Sequence, residues 1–84
     1  MNRESAILLT QQLLRRAASK RDSDPVDNGV WADLIEVGIW AQYHSAYPCL
    51  VKDAIPPYDS HRTWLLVRHA AQAIEESFTG KQNP

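Results

Sequence analysis

The chain has 84 residues, of which 44% are apolar and 23% are charged, and its net charge is −1. A chain of this length buries roughly 60% of its unfolded surface and has room for one domain, which excludes a two-domain protein. The balanced charge lacks the basic face that binding to a phosphate backbone needs, so nucleic-acid binding is not expected.

Cysteine content and hydropathy restrict the compartment. Cys49 is the only cysteine, which excludes an intrachain disulfide and leaves no second thiolate for a metal site. No stretch approaches the roughly 20 apolar residues that span a bilayer, and the N-terminal residues lack a signal-peptide pattern. We therefore expect a cytoplasmic protein with no membrane association.

The first predicted element is an amphipathic helix from Asn2 to about Lys20. Its apolar residues recur at spacings of three and four: Ala6, Leu9, Leu13 and Ala17. Asn2 is placed to cap the first amides, and the segment ends before Pro25. Basic residues gather near its end, namely Arg15, Arg16, Lys20 and Arg21. We expect them to offset the helix dipole, with a patch for phosphate or an acidic partner as the alternative.

A second helix is predicted to begin at Asp24-Pro25, with Asp24 as its N-cap, and to run to Tyr43. The alternative is a later start with Asn28 as the N-cap. Apolar residues cover most of its circumference, so we expect this helix at the centre of the fold. Gly38 interrupts it, which predicts a close approach by another helix or by a loop.

Residues 44–58 fit neither a helix nor a strand, because prolines interrupt them at positions 48, 56 and 57. We expect a long, ordered, Pro-rich connection that runs extended after Pro48. Leu50, Val51 and Ile55 are the residues expected to hold this connection on the core.

A third helix is predicted to follow a cap at Asp59 or Ser60 and to end at Gly80. Its apolar stripe has helical spacing: Trp64, Val67, Ala71, Ile74 and Phe78. Residues 81–84 lack apolar side chains and are expected to form a disordered tail. The sequence thus predicts an all-α fold, with three main helices in a single helical domain over residues 1–80.

Aromatic and glycine residues of the second helix, together with the segment after it, follow a distinctive order. They are Trp31, Gly38, Trp40 and Tyr43, and then Tyr47-Pro48-Cys49-Leu50-Val51. Over roughly residues 30–78 this order resembles the RyR domain, a small helical module repeated in ryanodine receptors and also found in bacterial and phage proteins. Lys52-Asp53 departs from the family's Pro-Tyr pair. The resemblance implies binding or assembly without catalysis, with a small nucleotide-like molecule as one proposed ligand.

Catalytic and metal-binding patterns do not emerge from the sequence. The histidines His44, His61 and His69 have no carboxylate at helical spacing on a shared face, whereas zinc needs three or four convergent ligands. Cys49 lies near a histidine but has no third group to orient a thiolate nucleophile. Glu75-Glu76 point about 100° apart on a helix, which disfavours a shared acid-base site. We expect no enzyme activity, no cofactor and no bound metal.

The aromatic residues around the stiff connection are the candidate binding residues, because such rings stack on planar ligands or anchor protein partners. The predicted ligand- or partner-binding set is Trp40, Tyr43, His44, Tyr47, Tyr58, His61 and Arg62. Filling of the core is the alternative role for the tryptophans. His61 and Arg62 precede a helix, whose free amides are a candidate anion site.

The leading interpretation is a non-enzymatic recognition module whose aromatic loop, Tyr43 to Arg62, binds a small ligand or a protein surface. One alternative is a small stand-alone inhibitor or adaptor, including a phage-encoded one, that occludes a larger host protein through Leu8, Leu14 or Leu66. A helix-turn-helix DNA-binding protein is not expected, because the turns are too long. Self-association through apolar helix faces is a further alternative.

Overall fold

The computed structural model describes residues 1–80, so the predicted disorder of residues 81–84 lies outside the described residues. Four helices occur in the described part of the chain: α1 (Arg3–Ala18), α2 (Asn28–His44), the single-turn α3 (Cys49–Lys52) and α4 (Trp64–Thr79). Residues 1–80 contain no strand, and a single antiparallel β-bridge joins Pro25 to Thr63. The predicted all-α class is confirmed.

Helix α1 agrees with the prediction and has both of its ends paired. Asn2 is its N-cap, and the Oδ1 atom of Asn2 accepts a hydrogen bond from the amide of Ser5 at 2.8 Å. At the other end, Nη2 of Arg68 donates to the carbonyls of Ala17 at 3.1 Å and Lys20 at 3.2 Å. The terminal amides and carbonyls of a helix lack partners within the helix, so these contacts stabilise both ends.

Helix α2 begins later than the preferred prediction. Asp27 is its N-cap, and the carboxylate of Asp27 accepts a hydrogen bond from the amide of Val30 at 2.9 Å. Asp24 instead accepts from the amide of Arg21 at 2.9 Å and closes a turn. The predicted start at Asp24 is therefore wrong, and the alternative with Asn28 as N-cap is one residue too late, because Asn28 is the first residue of the helix.

The connection between α2 and α4, residues 45–63, is not extended after Pro48 as predicted. Pro48 has helical dihedral angles (φ −61°, ψ −24°) and leads directly into α3. Proline suits the first turn of a helix, because the missing amide hydrogen has no partner there anyway. Within α3, Val51 is completely buried, whereas Leu50 remains half-buried.

Ile55 holds the second part of the connection against α2. A Cβ atom built on Gly38 would lie 2.5 Å from Cδ1 of Ile55, so any larger residue at position 38 would force the Ile55 side chain to shift. The close approach predicted at Gly38 is confirmed, and a loop residue makes it.

Helix α4 begins after both of its predicted caps. Thr63 is the N-cap, and its hydroxyl oxygen accepts a hydrogen bond from the amide of Leu66 at 3.4 Å. Asp59 and Ser60 instead belong to a preceding turn, in which the amide of Ser60 donates to the carbonyl of Pro57 at 3.0 Å. The turn separates the two predicted caps from the helix, so that prediction is wrong.

The core lies where α1, α2 and α4 meet, and α3 packs against α2 and α4. Its largest fully buried apolar side chains are Trp31, Leu34, Ile74, Val30, Val37, Val51 and Val67. Helices α2 and α4 each contact every other helix, and α4 does so more extensively, so the central position predicted for α2 is shared with α4. The outer face of α2 is nevertheless open, because Ile39 is 50% exposed and Tyr43 is 78% exposed.

Each of the three tryptophans ties a non-helical segment to a helix through its indole N–H. The bonds run from Trp31 to the Tyr58 carbonyl at 3.0 Å, from Trp40 to the Met1 carbonyl at 3.1 Å, and from Trp64 to the Pro25 carbonyl at 3.0 Å. A buried indole N–H usually needs such a partner. The three bonds therefore hold the N-terminus and both long connections on the helices.

Candidate functional site

The seven predicted site residues fall into two groups near opposite ends of α2. The first group, at the C-terminal end, contains Trp40, Tyr43, His44 and Tyr47. The second group contains Tyr58, His61 and Arg62, and Arg62 contacts Asn28 at the first turn of α2. A rise of 1.5 Å per residue separates Asn28 from Trp40 by about 18 Å along the helix axis. The two groups therefore do not line one small-molecule pocket.

Trp40 is mainly a packing residue. Its ring centroid lies 4.8 Å from the ring of His44 and 5.9 Å from the ring of Phe78. The indole N–H already donates to the Met1 carbonyl. His44 is exposed in the last turn of α2, and its ring covers one side of the indole.

The two tyrosines of the first group differ in what they contact. The amide of Tyr47 donates to the Ser77 carbonyl at 3.0 Å, and the ring of Tyr47 lies over Gly80. Gly80 ends α4, as predicted, with a φ of 69°, and a Cβ atom there would overlap this ring. Tyr47 thus covers the end of α4, whereas Tyr43 projects from the outer face of α2.

A shallow depression of about 380 Å³ lies beside Tyr43. It is lined by Gln42, Tyr43, Pro48, Cys49 and Lys52. The thiol of Cys49 is exposed and forms no disulfide. The depression is open on the side that faces solvent, so it is a surface for contact and not a closed cavity.

The second group centres on Arg62, and we call Tyr58, Arg62 and Trp31 the Arg62 cluster. The guanidinium carbon lies 5.1 Å from the ring centroid of Tyr58 and 5.7 Å from that of Trp31. Cation–π contacts of this kind contribute about 0.5–1 kcal/mol at exposed sites. Nη1 of Arg62 also donates to Oδ1 of Asn28. Tyr58 remains 58% exposed, and His61 beside it is also exposed.

The anion site suggested at the start of α4 is wrong, because the amides there are already paired. The amide of Trp64 donates to the Asp24 carbonyl at 3.3 Å, that of Leu65 to the Asp22 carbonyl at 3.2 Å, and that of Leu66 to Thr63. These carbonyls belong to the connection between α1 and α2. The connection folds onto the helix end and occupies the positions that an anion would need.

A groove that the sequence did not indicate runs between the first half of α1 and the last turns of α4. Its volume is about 370 Å³, and it contains none of the seven predicted residues. Lining residues include Arg3, Ile7, Thr10, Glu75, Glu76 and Phe78. One feature of the sequence could have drawn attention to this region: the two adjacent acidic residues, Glu75-Glu76, lie near the C-terminal end of a predicted helix, where acidic residues are unfavourable.

The charges of this groove lie at the unfavourable ends of their helices. Arg3 is the first residue of α1, and Glu76 is in the last turn of α4. A cation at a helix N-terminus and an anion at a C-terminus each oppose the helix dipole, by about 0.3–1 kcal/mol at low salt. The ion pairs among residues 1–80 are Arg16–Asp27 at 3.8 Å and Arg68–Asp22. The charges of the groove are therefore not paired with one another.

Two further observations concern the rest of the surface and the interior. Within residues 1–80, no group of three His, Cys, Asp or Glu side chains is placed to hold a metal ion. No helix in this part of the chain is long and apolar enough to cross a membrane.

Comparisons with protein-family models, with curated proteins and with solved structures gave no match to the chain.

Proposed function

We propose that the chain is a non-enzymatic recognition module of the RyR type, and that it binds a protein surface through Tyr58 and Arg62. The observation that carries the proposal is the contact of the Arg62 guanidinium with the rings of both Trp31 and Tyr58. Tyrosine and arginine are enriched among the residues that dominate binding energy in protein interfaces. A side chain that is already held in place loses less entropy on binding.

The chemistry of Arg62 suggests what the partner presents. Among residues 1–80, only the Nη1 atom of this guanidinium has a hydrogen-bond partner, the amide oxygen of Asn28. The remaining N–H groups suit a carboxylate, which arginine binds in a bidentate way. The exposed ring of Tyr58 offers apolar area beside them. The proposed partner therefore carries an acidic residue next to an apolar or aromatic one.

The proposal requires that the Pro-rich connection keep one conformation in solution. Three contacts support this order: the bond from Trp31 to the Tyr58 carbonyl, the contact of Ile55 with Gly38, and the turn from Pro57 to Ser60. Proline residues lower the conformational entropy that the connection loses on folding. A connection held in this way presents Tyr58 and Arg62 in a fixed arrangement.

We further propose that the protein acts in the cytoplasm of a bacterium or in a cell infected by a phage. The RyR resemblance supports this source. The exposed single thiol of Cys49 supports a reducing compartment, where thiols remain reduced.

Selection of peptides from a phage-displayed random library on the immobilised protein tests the proposed surface. We expect enriched peptides that place an acidic residue beside an aromatic or apolar one. Tyr58→Ala and Arg62→Gln should each weaken binding of a selected peptide by about tenfold, or 1.4 kcal/mol. Tyr58→Ala should stay folded, because Trp31 bonds to the main-chain carbonyl of residue 58. The matched control is Tyr43→Ala, which alters an exposed tyrosine far from the Arg62 cluster.

Full peptide affinity in a folded Tyr58→Ala variant would contradict the proposed surface. A thermal-shift screen with a metabolite panel that includes nucleotides tests the small-ligand alternative. Saturable shifts that Arg62→Gln abolishes would favour that alternative over a protein partner.

The inhibitor or adaptor function remains a second candidate, and the exposure of Leu8 favours it. Leu8 is 52% exposed on α1, whereas Leu14 and Leu66 are half-buried and pack against the core. Leu8 is therefore the one of the three contact residues first considered that remains well exposed. A pull-down should then recover one stoichiometric host protein, and Leu8→Glu should abolish the capture.

A further inference from the structure

The groove between α1 and α4 has the dimensions of a small-molecule site. Its volume of about 370 Å³ falls in the range of roughly 300–1,000 Å³ that is usual for ligand pockets. Ile7 and Phe78 supply apolar surface. Thr10 is buried, and its hydroxyl donates to the Ala6 carbonyl at 2.7 Å, so that hydrogen atom is not available to a ligand.

The two walls of the groove carry opposite charges. Arg3 belongs to α1, and Glu75 and Glu76 belong to α4. No nitrogen of Arg3 lies within ion-pair distance of a carboxylate oxygen among residues 1–80. Arg3 and Glu76 also oppose the dipoles of their own helices, so neither charge serves to stabilise its helix. A ligand that lies between the walls would pair both signs at once.

We propose that this groove binds a free α-amino acid with an apolar side chain. Arg3 would bind the carboxylate of the ligand, and one of the two adjacent glutamates, Glu75 or Glu76, would bind its ammonium group. The apolar side chain would lie on Ile7 and Phe78. An anion alone would leave the glutamates without a partner, and a cation alone would leave Arg3 without one, so a zwitterion fits the lining best.

The test is a titration of the ¹⁵N-labelled full chain with L-phenylalanine, followed by amide chemical shifts. We expect saturable shifts in the first two turns of α1 and the last two turns of α4, with a dissociation constant of about 1 mM for a ligand of this size. N-acetyl-L-phenylalanine lacks the ammonium group and L-phenylalaninamide lacks the carboxylate. Each should bind about tenfold more weakly, since each loses one charge-assisted contact.

Charge-neutral variants assign each ligand group to one wall. Arg3→Gln should weaken phenylalanine about tenfold and leave the affinity for phenylalaninamide unchanged. The double variant Glu75→Gln/Glu76→Gln should weaken phenylalanine and phenylalaninamide but leave N-acetylphenylalanine unchanged. Arg15→Gln, an exposed arginine at the far end of α1, is the matched control and should change none of the three affinities.

Absence of saturable shifts in the wild-type chain would overturn the proposal. Equal affinity for phenylalanine and its two derivatives would also overturn it, since the charges of the groove would then play no part. The outcome is independent of Tyr58 and Arg62, because neither residue lines the groove. Failure here would leave the recognition proposal standing, and the reverse also holds.

Discussion

Gly38 lies in the middle of α2, where an alanine would ordinarily favour the helix by about 1 kcal/mol. The side chain of Ile55 occupies the space that a methyl group at position 38 would need, with Cδ1 at 2.5 Å and Cγ1 at 3.0 Å from the Cβ position. Close packing against the loop therefore outweighs helix propensity at this residue. The glycine also shows why Ile55 can hold the connection against α2.

We expect Gly38→Ala to lower the free energy of unfolding by up to about 2 kcal/mol, because overpacking costs about 1–3 kcal/mol and the helix gains about 1 kcal/mol. In an Ile55→Ala background, the same change should raise stability by about 0.5–1 kcal/mol, since the space is then free. Urea denaturation of the four proteins measures both effects. The same effect of Gly38→Ala in both backgrounds would show that Ile55 is not the cause.

At the scale of elements, α4 adds a hydrogen bond across the interface to the C-terminal end of α1, where the Ala17 carbonyl also accepts from the amide of Lys20 at 3.1 Å. Nη2 of Arg68 donates to the carbonyls of Ala17 and Lys20, and its Nη1 atom bonds to Asp22. The carboxylate of Asp22 is largely exposed, so the ion pair itself contributes little. The bonds to main-chain carbonyls are the more important part, because they close a helix end across the interface.

Arg68→Ala is expected to lower the free energy of unfolding by about 1–3 kcal/mol, the usual cost of losing hydrogen bonds to a charged group. Arg68→Lys should restore little of this loss, because an ammonium group cannot reach several acceptors in the planar fork of arginine. Thermal and urea unfolding monitored by circular dichroism measure the change. Arg15→Ala, on the exposed surface of α1, is the control and should stay within 0.5 kcal/mol of wild type. A comparable loss in the control, or full rescue by lysine, would contradict the capping role.

The elements themselves could be predicted from the sequence much better than their starts. The apolar spacing of α1 and α4 indicated helices, and both are present. Asp24, Asp59 and Ser60 were reasonable caps by residue type, yet none of them caps a helix. Local chemistry makes several residues acceptable caps, and the packing of the connections decides which one is used.

At the scale of the whole molecule, the tryptophans form hydrogen bonds that link helices to connections distant in sequence. Trp31 and Trp64 are both buried, and each donates to a main-chain carbonyl of a different connection. The Pro25–Thr63 bridge adds a further contact between these two connections. The non-helical segments are thus held by a few specific bonds as well as by apolar burial.

We expect Trp31→Phe to raise the exchange rate of the Ser60 amide, which donates to the Pro57 carbonyl, by about fivefold to tenfold, because one hydrogen bond contributes about 1 kcal/mol to holding that segment. Trp64→Phe should instead raise the exchange rate of the Asp24 amide, which donates to the Arg21 carbonyl. Hydrogen exchange measured by NMR on both variants separates the two effects. A uniform rise in exchange rate over all residues would indicate global destabilisation. It would contradict the expectation that each tryptophan bond holds its own connection. Fast exchange of the Ser60 amide in the wild-type chain would remove the basis of the proposed recognition surface.

The candidate sites were only partly accessible from the sequence. Tyr58 and Arg62 were named from their residue types and from their place beside prolines. Their distance from Trp40 and Tyr43 could not be predicted, because it depends on the course of residues 45–63 along α2. The groove between α1 and α4 joins residues more than 60 positions apart, Arg3 and Glu75, so the Glu75-Glu76 pair alone could not indicate which residues face it.

The sequence by itself determined the all-α class and the existence of α1, α2 and α4, because apolar periodicity reports directly which side of each helix is buried. It also determined the need for a close contact at Gly38 and the end of α4 at Gly80. Only the tertiary structure decided which residues cap α2 and α4, which carbonyls the tryptophans and Arg68 bind, and which charges share the groove. These features depend on contacts between distant segments, whose pairing is set by packing of the whole chain and not by any local stretch of residues.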